Sequence, residues 1–460
     1  MGVVVFDRFL MIALMLVVAL APLPLGSNRP VSWSLVAFVI GGLSLLWGLA
    51  AIYRPTLLRL PNRAAIIPAV GWALLVLWHF FQSSGPSALW HPFWNLTGTG
   101  LGIEVDGAIS ISPFDTGTAA MRLMVYGLVF WLAAQTGRDS QNARVMTYGV
   151  CGIVLFYSLY GLMNELLDAD TILWFEKWAY HDALTSTFVN RNSFASFAVI
   201  GMITTMGLAF RALRREQPRP QVVTVRRRDM SRVVAGLLIG ITVLIGIALM
   251  LTRSRAGLIA GGIGIAALVM GHFLRDRRMP PWPVLVGGVI IGSVVLLIAA
   301  GTGTFERKVD DPEAGDLGGR GWLAQRTLSA IADRPLTGHG GGAFESYFQR
   351  YKNADFGGVY AISKAHNSYL EFAADVGIPA TILMLAVFGW ILLSCIRGLH
   401  IRKQDTSYPA IAIAVIIAAG LHALVDFSLQ IPAIAILFAF VLGIGYAQSF
   451  PTGGGRHNRL

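Results

Sequence analysis

Residues 33–53 read WSLVAFVIGGLSLLWGLAAIY and contain no charged side chain. As an α-helix rising about 1.5 Å per residue, a run of this length crosses the ~30 Å hydrocarbon core of a bilayer. Its apolar residues are continuous and not alternating, which favours a helix over a strand of a membrane barrel. Similar runs recur along the chain, of which 55% is hydrophobic and 13% charged. The sequence therefore predicts an all-α, polytopic membrane protein.

We predict about twelve transmembrane helices, with a large polar loop between the ninth and the tenth. This pattern divides the chain into residues 1–300 with nine helices, 301–375 with the loop and its short amphipathic helices, and 376–460 with three helices. The first run resembles a signal peptide, but Pro22 directly after Ala19-Leu20-Ala21 argues against cleavage, so we expect it to be retained. The predicted spans are 9–24, 33–53, 64–82, 116–135, 145–167, 187–210, 233–251, 256–274, 284–300, 376–396, 410–427 and 433–450.

Basic residues fall in every second connection between these spans, and the loop 83–115 contains no Lys or Arg. By the positive-inside rule, the basic connections are cytoplasmic. We therefore expect a bacterial inner-membrane protein with both termini in the cytoplasm and with loops 83–115 and 301–375 in the periplasm. The same basic connections account for the net charge of +11, so we expect membrane lipids and no nucleic acid as partners. The two cysteines, Cys151 and Cys395, lie inside apolar runs and predict no disulfide.

Four arginines depart from this charge pattern. Arg191 stands at the outer start of the sixth span, Arg253 and Arg255 at the turn between the seventh and eighth, and Arg122 just inside the outer end of the fourth. An arginine buried at the centre of a membrane helix is unfavourable by about 2.5 to 3.5 kcal/mol, so such residues usually face a cavity or a partner.

The functional interpretation is a cationic site for a polyanionic lipid headgroup, because guanidinium groups bind phosphate oxygens bidentately. The alternative is that single side chains extend to the headgroups of ordinary lipids, which we favour for Arg29. Arg191 lies between Asn190 and Asn192, and Arg255 follows a serine. These polar surroundings favour function for Arg191 and Arg255.

The large loop contains a predicted amphipathic helix at 325–332, with Trp322 and Leu328 on its apolar side, followed by the glycine-rich segment 338–344 around His339. His366 then lies just above the predicted outer membrane surface, where it can hold or take a proton near neutral pH. Glu371 and Asp375 are near enough in sequence to orient it. The alternative is a solvated histidine with no role.

Two further groups are ambiguous. His422 and Asp426 are four residues apart near the outer end of the eleventh span, hence on one helix face, so they either serve the site or satisfy each other. The acidic residues in 310–316 lack a metal-ligand spacing and predict a solvated loop. We therefore expect no metal.

Four polar segments stand at the outer ends of the predicted helices: FVNRNSFA at 188–195, TRSRAG at 252–257, RPLTGHG at 334–340 and HNSYL at 366–370. Together with twelve spans and one large outer loop, they resemble the O-antigen ligase and O-antigen polymerase family of surface-polysaccharide enzymes. The most specific match is a ligase pattern of His, then Asn, Ser or Gln, nine residues, Gly, two residues, and Gly, Thr or Tyr. His366, Asn367 and Gly377 fit this pattern, whereas Ala380 departs from it. Ligase and polymerase therefore both stay open.

The resemblance implies an inverting glycosyltransferase that needs neither metal nor cofactor. Its donor would be a glycan on undecaprenyl diphosphate, used at the periplasmic face of the inner membrane. The acceptor would be a lipid A core sugar, the growing end of another lipid-linked glycan, or a protein serine or threonine. These acceptors correspond to lipopolysaccharide ligation, to polymerisation of O-antigen or exopolysaccharide, and to protein O-glycosylation.

Residue roles follow from the resemblance and the charge pattern together. Arg191 and Arg255 would bind the pyrophosphate and stabilise charge as it leaves, and His366 would deprotonate or orient the acceptor hydroxyl. The expected substrate-binding residues are Arg253, Arg122, Asn192, His339, Asn367, Tyr369 and Asp426.

A lipid-linked glycan transporter or flippase is the rival class, since it could use the same arginines to conduct a headgroup. Transporters often show repeated halves, and the sequence contains no internal repeat. The single large outer loop also fits a one-sided site better than alternating access.

Overall fold

Helix dominates the structure, as the sequence predicts. The computed structural model describes residues 2–23, 25–214, 225–275, 317–352, 362–402 and 405–451, and 76% of the structure is helical. Residues 171–176 form a two-stranded hairpin, β1 (Thr171–Ile172) and β2 (Phe175–Glu176). The helices of the described ranges are α1 (Gly2–Leu20), α2 (Pro30–Tyr53), α3 (Asn62–Gln82), α4 (Pro92–Leu101), α5 (Pro113–Thr136), α6 (Ser140–Leu166), α7 (Arg191–Arg214), α8 (Val225–Leu251), α9 (Arg255–Arg275), α10 (Leu317–Asp333), α11 (Phe344–Phe348), α12 (Ser368–Val376), α13 (Ile378–Ile401), α14 (Ser407–His422) and α15 (Pro432–Ala447).

Eight of these helices are long and apolar enough to cross a membrane: α2, α3, α5, α6, α7, α8, α9 and α13. The apolar helices α14 and α15 are shorter, and α1 occupies the position of the first predicted span. The predicted ninth span, 284–300, lies outside the described residues, as do 301–316 and 353–361 of the predicted loop. The chain is thus a membrane protein of many helices, and the number twelve stays a prediction.

Proline starts several helices. Pro30, Pro92, Pro113 and Pro432 each occupy one of the first two helical positions, where the missing N–H has no intrahelical partner to lose. The loop 83–115 is therefore not featureless, because α4 begins within it at Pro92.

Helix α7 is the centre of the fold. The apolar stretch of α7 that is long enough to cross a membrane is wholly buried, whereas only 22% of the corresponding stretch of α2 is buried. Its neighbours are α6, α8, α9, α14 and α15. At Gly257 of α9, an added Cβ would stand 2.7 Å from the Cβ of Ala195, so the glycine permits close approach to α7. The residues at the start of α7 are therefore surrounded by protein.

The helix ends gather on two faces. One face, which we call the basic face, brings together Arg59 with Asp7, and Arg211 with Asp405 at 2.8 Å from Nε to Oδ1. The opposite face, the loop face, carries 83–115 and the described parts of 317–375. Two contacts of α3 with this loop show the grouping, from Gln82 Nε2 to the Thr337 oxygen at 2.6 Å and from Trp78 Nε1 to the Val376 oxygen at 2.9 Å. The grouping follows the predicted alternation, and the cytoplasmic assignment of the basic face stays a prediction.

The predicted amphipathic helix is longer than expected and its apolar side is different. Helix α10 ends at Asp333 as predicted, and Trp322 packs edge-on against Phe348 at 6.2 Å between ring centroids. Leu328, however, is 53% exposed, whereas Leu323 and Ala330 are buried. Leu328 was wrongly placed because Leu323, Thr327 and Ala330 follow the helical spacing of four and three residues, and Leu328 falls beside that row.

Candidate functional site

Four polar side chains from separate segments form one hydrogen-bonded group on the loop face, which we call the polar cluster. Ser254 Oγ donates to Asn192 Oδ1 at 2.7 Å, and Asn192 Nδ2 donates to Asp426 Oδ2 at 2.9 Å. Ser368 Oγ donates to the backbone oxygen of Asp426 at 2.8 Å. The polar cluster joins the starts of α7, α9 and α12 to the turn after α14.

Side-chain caps explain why three helices begin at this point. Asn190 Oδ1 accepts from the backbone N of Asn192 at 2.7 Å, Ser254 Oγ from that of Gly257 at 3.2 Å, and Asn367 Oδ1 from that of Leu370 at 3.0 Å. A helix N-terminus carries a partial positive charge, which favours an anion nearby. Asn367, predicted as a substrate-binding residue, is thus the N-cap of α12.

Arg191 lies directly beside the polar cluster. Its guanidinium carbon is 5.3 Å from the ring centroid of Tyr180, and its Nε is buried with no hydrogen-bond acceptor in the described part of the chain. The hydroxyl of Tyr180 in turn accepts from Asn190 Nδ2 at 3.1 Å. A half-buried guanidinium that has no carboxylate partner among the described residues is suited to an anionic ligand.

Arg253 and Arg255 flank Ser254 at the turn into α9. Arg255 is the exposed first residue of α9. Arg253 has a positive φ of 54° and donates to Asp182 Oδ2 at 2.9 Å, and both side chains of this ion pair are exposed. Arg253 therefore has a protein partner at the surface, whereas Arg255 begins the helix whose cap is part of the polar cluster.

His366 is held close to the polar cluster by its neighbours in the chain. Its ring lies edge-on to Phe427, 5.2 Å between centroids, and it is half-buried. The backbone N of Ser368 donates to the Ala423 oxygen at 2.8 Å. The backbone around His366 is thereby fixed against the turn that carries Asp426.

Glu371, which the sequence suggested as a modulator of His366, holds the preceding segment. It accepts from Lys364 Nζ at 3.1 Å and from the backbone N of Ala365 at 2.8 Å. Asp375 accepts from the backbone N of Gly342 at 2.8 Å and from the Tyr347 hydroxyl at 2.9 Å. Both carboxylates thus organise the loops around the site.

The expected pairing of His422 with Asp426 along one helix face is wrong, because α14 ends at His422. The Asp426 carboxylate accepts instead from Asn192 and from the backbone N of Ser428 at 2.8 Å. His422 Nδ1 lies 2.5 Å from Ser196 Oγ, and its Nε2 has no partner within the described ranges.

Arg122 lines a separate cavity of about 810 Å³ in the membrane part of the fold. Its guanidinium carbon lies 5.0 Å from the ring centroid of Trp33. The walls are mostly apolar, and Lys364 and Ser368 border the cavity at the loop face. Tyr369 also lines it and donates through its hydroxyl to the Gly420 oxygen at 2.9 Å. Ser368 belongs to both the cavity wall and the polar cluster.

His339 is built into the loop packing. Its Nδ1 lies 3.0 Å from Nε2 of His91, its Nε2 lies 2.9 Å from the Ala330 oxygen, and its ring stacks on Tyr347 at 4.4 Å. Because His91 Nδ1 accepts from the backbone N of Phe93, the His91 Nε2–H must donate to His339. Burial lowers the pKa of His91 to about 3 and that of His339 to about 4. Both nitrogens of His339 are therefore used within the fold.

Ser254, Ser368 and Tyr180 were missed as site residues by the sequence reasoning. Ser254 and Ser368 do stand in the segments TRSRAG and HNSYL, and that adjacency was the available signal. Within the described residues, no group of three or more His, Cys, Asp or Glu side chains is placed to hold a metal ion.

Comparison with known proteins adds the family. The family model for O-antigen ligase matches residues 240–385. The matched segment contains Ser254, Arg255, His366 and Ser368, and it excludes Arg191 and Asp426. No curated protein matches the chain. This segment of the chain is thus similar to O-antigen ligases, and the apolar helices are those of a membrane protein.

Proposed function

We propose that this chain transfers a glycan from an undecaprenyl-diphosphate-linked donor to an acceptor hydroxyl at the periplasmic face of the inner membrane. The family match over residues 240–385 supports a ligase-like or polymerase-like role in surface polysaccharide formation, with lipid-linked glycans as substrates. The observation that carries the finer proposal is the polar cluster, because it links the segments bearing Arg191, Arg255 and His366.

The diphosphate binds at the start of α7 and α9. Arg191 supplies a guanidinium with an unused buried Nε, Arg255 supplies a second, and both helix N-termini add partial positive charge. As the bond between the anomeric carbon and the diphosphate oxygen breaks, its electron pair leaves on the undecaprenyl diphosphate. These groups stabilise the added charge, which is the effect expected of a preorganised anion site.

His366 takes the proton of the acceptor hydroxyl while the acceptor oxygen forms the new bond to the anomeric carbon from the opposite face. Asp426 is the other candidate base nearby, but it is 1% exposed and its carboxylate accepts from Asn192 and Ser428. A carboxylate committed in this way orients the site and does not collect protons. The half-buried His366 is the better base.

The 810 Å³ cavity suits the hydrocarbon chain of a lipid substrate. Its mostly apolar walls exclude a polar glycan, and Arg122 and Lys364 at its loop-face end are placed to meet an anionic headgroup. Since Ser368 borders both the cavity and the polar cluster, a lipid in the cavity has its headgroup beside His366.

Polymerase activity is the second candidate, because polymerase and ligase differ only in the acceptor. The departure of Ala380 from the ligase pattern does not separate them. Ala380 is buried in a small apolar group with Leu75 and Val376, so its identity bears on packing. A flippase is less well supported, because transport needs no base near the diphosphate.

Gene deletion with complementation tests the proposal. In the deletion strain, short surface polymer indicates a polymerase, and polymer detached from its anchor indicates a ligase. We expect His366→Ala and Arg255→Ala to reach wild-type levels in the membrane and to fail to restore polymer. Arg29→Ala is the matched control, since Arg29 is an exposed loop-face arginine that lies 6.0 Å from the Trp178 ring centroid. Transfer at the wild-type rate by either site variant would contradict the assignment.

A further inference from the structure

A second, polar cavity of about 240 Å³ opens on the loop face between the end of α6, the hairpin and Arg253. It is smaller than the ~300–1,000 Å³ clefts that hold drug-sized ligands, so it has room for about one sugar ring. Four carboxylates and two fully charged cations line its walls. The carboxylates belong to Glu165, Asp168, Asp170 and Asp182, and the cations are Lys177 and Arg253.

Hydrogen bonds hold the segments around this cavity in place. Asn164 Nδ2 donates to the Thr171 oxygen at 3.0 Å, and the Tyr160 hydroxyl accepts from the backbone N of Leu173 at 2.7 Å. The backbone N of Leu184 donates to the oxygen of Leu251 at the end of α8. The cavity is therefore preorganised. Preorganisation favours binding because few side chains and loops lose conformational entropy when a ligand enters.

Several polar groups in the walls have hydrogen-bonding capacity to spare. Within the described ranges, the Glu165 and Asp168 carboxylates line the cavity without accepting a hydrogen bond, although Glu165 attracts the Lys177 ammonium electrostatically. Lys177 is only 9% exposed, and its ammonium gives one hydrogen bond, to the Ala183 oxygen at 2.7 Å. A buried ammonium has three donors, so a ligand oxygen is the natural partner for the others.

The hairpin that contributes Thr171 to the cavity also carries exposed aromatic side chains. Trp174 is 79% exposed, and its ring lies 5.6 Å from that of Phe175. These rings do not line the cavity, but they stand on the hairpin that adjoins it. An aromatic face and acceptor-rich polar groups together match the two surfaces of a sugar, whose C–H face is apolar and whose hydroxyls donate and accept.

Arg253 connects this cavity to the polar cluster. It borders the cavity through its ion pair with Asp182, and the next residue, Ser254, hydrogen-bonds Asn192. The wall of the cavity at Arg253 therefore adjoins the segment that is proposed to bind the diphosphate of the glycan.

We infer that this cavity is a sugar-binding subsite for the donor glycan, with Glu165, Asp168 and Lys177 as its hydrogen-bonding groups. This inference depends on the proposed function only for the identity of the glycan that enters the cavity. The excess of carboxylates repels an anionic sugar, so the subsite takes a neutral or amino-bearing ring and rejects a uronic acid. No sequence motif suggested this subsite.

Binding of free oligosaccharide to the full chain in nanodiscs tests the subsite apart from catalysis. The probe is the oligosaccharide released by mild acid from lipid-linked glycans of cells that make this protein, so it carries neither lipid nor diphosphate. We compare wild type with the double variant Glu165→Gln and Asp168→Asn, which keeps shape and removes charge. Glu345→Gln, an exposed carboxylate on α11, is the matched control.

We expect the double variant to bind the probe at least tenfold more weakly, and the control variant to bind it like wild type. The probe with its primary hydroxyls oxidised to carboxylates should bind wild type at least tenfold more weakly than the unmodified probe. In transfer assays, the double variant should raise the KM for donor and leave kcat within about twofold. Equal binding by wild type and double variant, or no binding by wild type, would overturn the subsite.

Two further variants separate the explanations. His366→Ala should bind the probe normally and transfer nothing, so loss of transfer with retained binding marks a failure of chemistry and not of the subsite. If wild type binds the probe but transfers no glycan, the proposed function fails and the subsite stands. If Trp174→Ala weakens association with lipid vesicles but leaves probe binding unchanged, the aromatic hairpin serves the membrane interface and its sugar-stacking role is overturned.

Discussion

Two regions differ in the hydrogen bonding of their buried polar groups: the loop packing around His339 and the start of α7 around Arg191. His339 has both ring nitrogens occupied, by His91 and by the Ala330 oxygen. At the start of α7, the Arg191 Nε, the Ser193 Oγ and the Thr187 Oγ1 are buried without a partner in the described part of the chain. Since buried polar groups in folded proteins are almost always satisfied, the first region is complete in itself, whereas the second keeps polar groups that a ligand could bind.

This contrast separates residues that looked alike in the sequence. Arg191 and His339 both stand in polar segments between predicted spans, and both were expected to bind substrate. The structure gives only Arg191 an open hydrogen-bonding group. Substitution should therefore remove function at one position and stability at the other.

The largest effect is expected from Arg191→Ala. Removing one group that stabilises developing charge lowers kcat by about 10²–10³-fold in well-characterised anion sites. Because the Arg191 Nε bonds nothing in the described protein, the unfolding temperature in detergent should change little. Transfer of glycan from purified lipid-linked donor, measured beside unfolding, checks both expectations.

Arg191→Lys sharpens this prediction. Lysine keeps the charge and loses the planar fork, so it should recover only part of the rate. Arg29→Ala again serves as the control and should transfer at the wild-type rate. A variant Arg191→Ala that unfolds easily but transfers normally per folded molecule would reverse the contrast between the two regions.

A smaller effect, on stability alone, is expected from His339→Ala. The substitution leaves the His91 Nε2–H and the Ala330 oxygen without partners in a buried site, and it removes the stacking on Tyr347. Each orphaned group destabilises by about 1–3 kcal/mol. The unfolding temperature should fall, while transfer per folded molecule stays within about threefold of wild type.

The exposed His400 provides the matched control, since His400→Ala removes a histidine without opening a buried site. If His339→Ala keeps full stability and loses transfer, then His339 acts on substrate as the sequence suggested.

Much of the fold and part of the site could be predicted from the sequence because they depend on local signals. Apolar runs gave the positions of the long helices, and cations at the wrong helix end marked Arg191 and Arg255. Asp426 shows where this method stops. Its hydrogen bond with Asn192 joins residues 234 positions apart, and no local pattern encodes such a pair. The polar cavity beside Lys177 depends in part on one such contact, from the backbone N of Leu184 to the oxygen of Leu251.

The predicted end of α14 was wrong for a related reason. Hydropathy continues past His422, so the sequence predicted a helix through 427, whereas the chain turns to bring Asp426 to Asn192. Hydrogen bonds of the turn therefore outweighed the local preference for helix.

The last effect concerns pH and tests whether the loop packing is closed to protons. The pKa values of about 3 for His91 and about 4 for His339 lie below the ordinary 6.5, because burial disfavours the charged rings. In the unfolded chain both rings take up protons as pH falls below about 6.5, whereas the folded loops hold them neutral down to about pH 4. The free energy of unfolding should therefore decrease as the pH is lowered from about 6.5 to about 4. The decrease is about 1.4 kcal/mol per pH unit for each ring that titrates only in the unfolded chain.

His339→Ala should show a shallower slope over the same window, since one of the two rings is gone. Its stability deficit relative to wild type is then largest near pH 7 and shrinks towards pH 4. Chemical unfolding in detergent at pH 7, 6, 5 and 4 measures the difference directly. Parallel curves for wild type and variant would mean that the buried rings already exchange protons in the folded state, and the loop packing would then resemble the start of α7 more than its hydrogen bonds indicate.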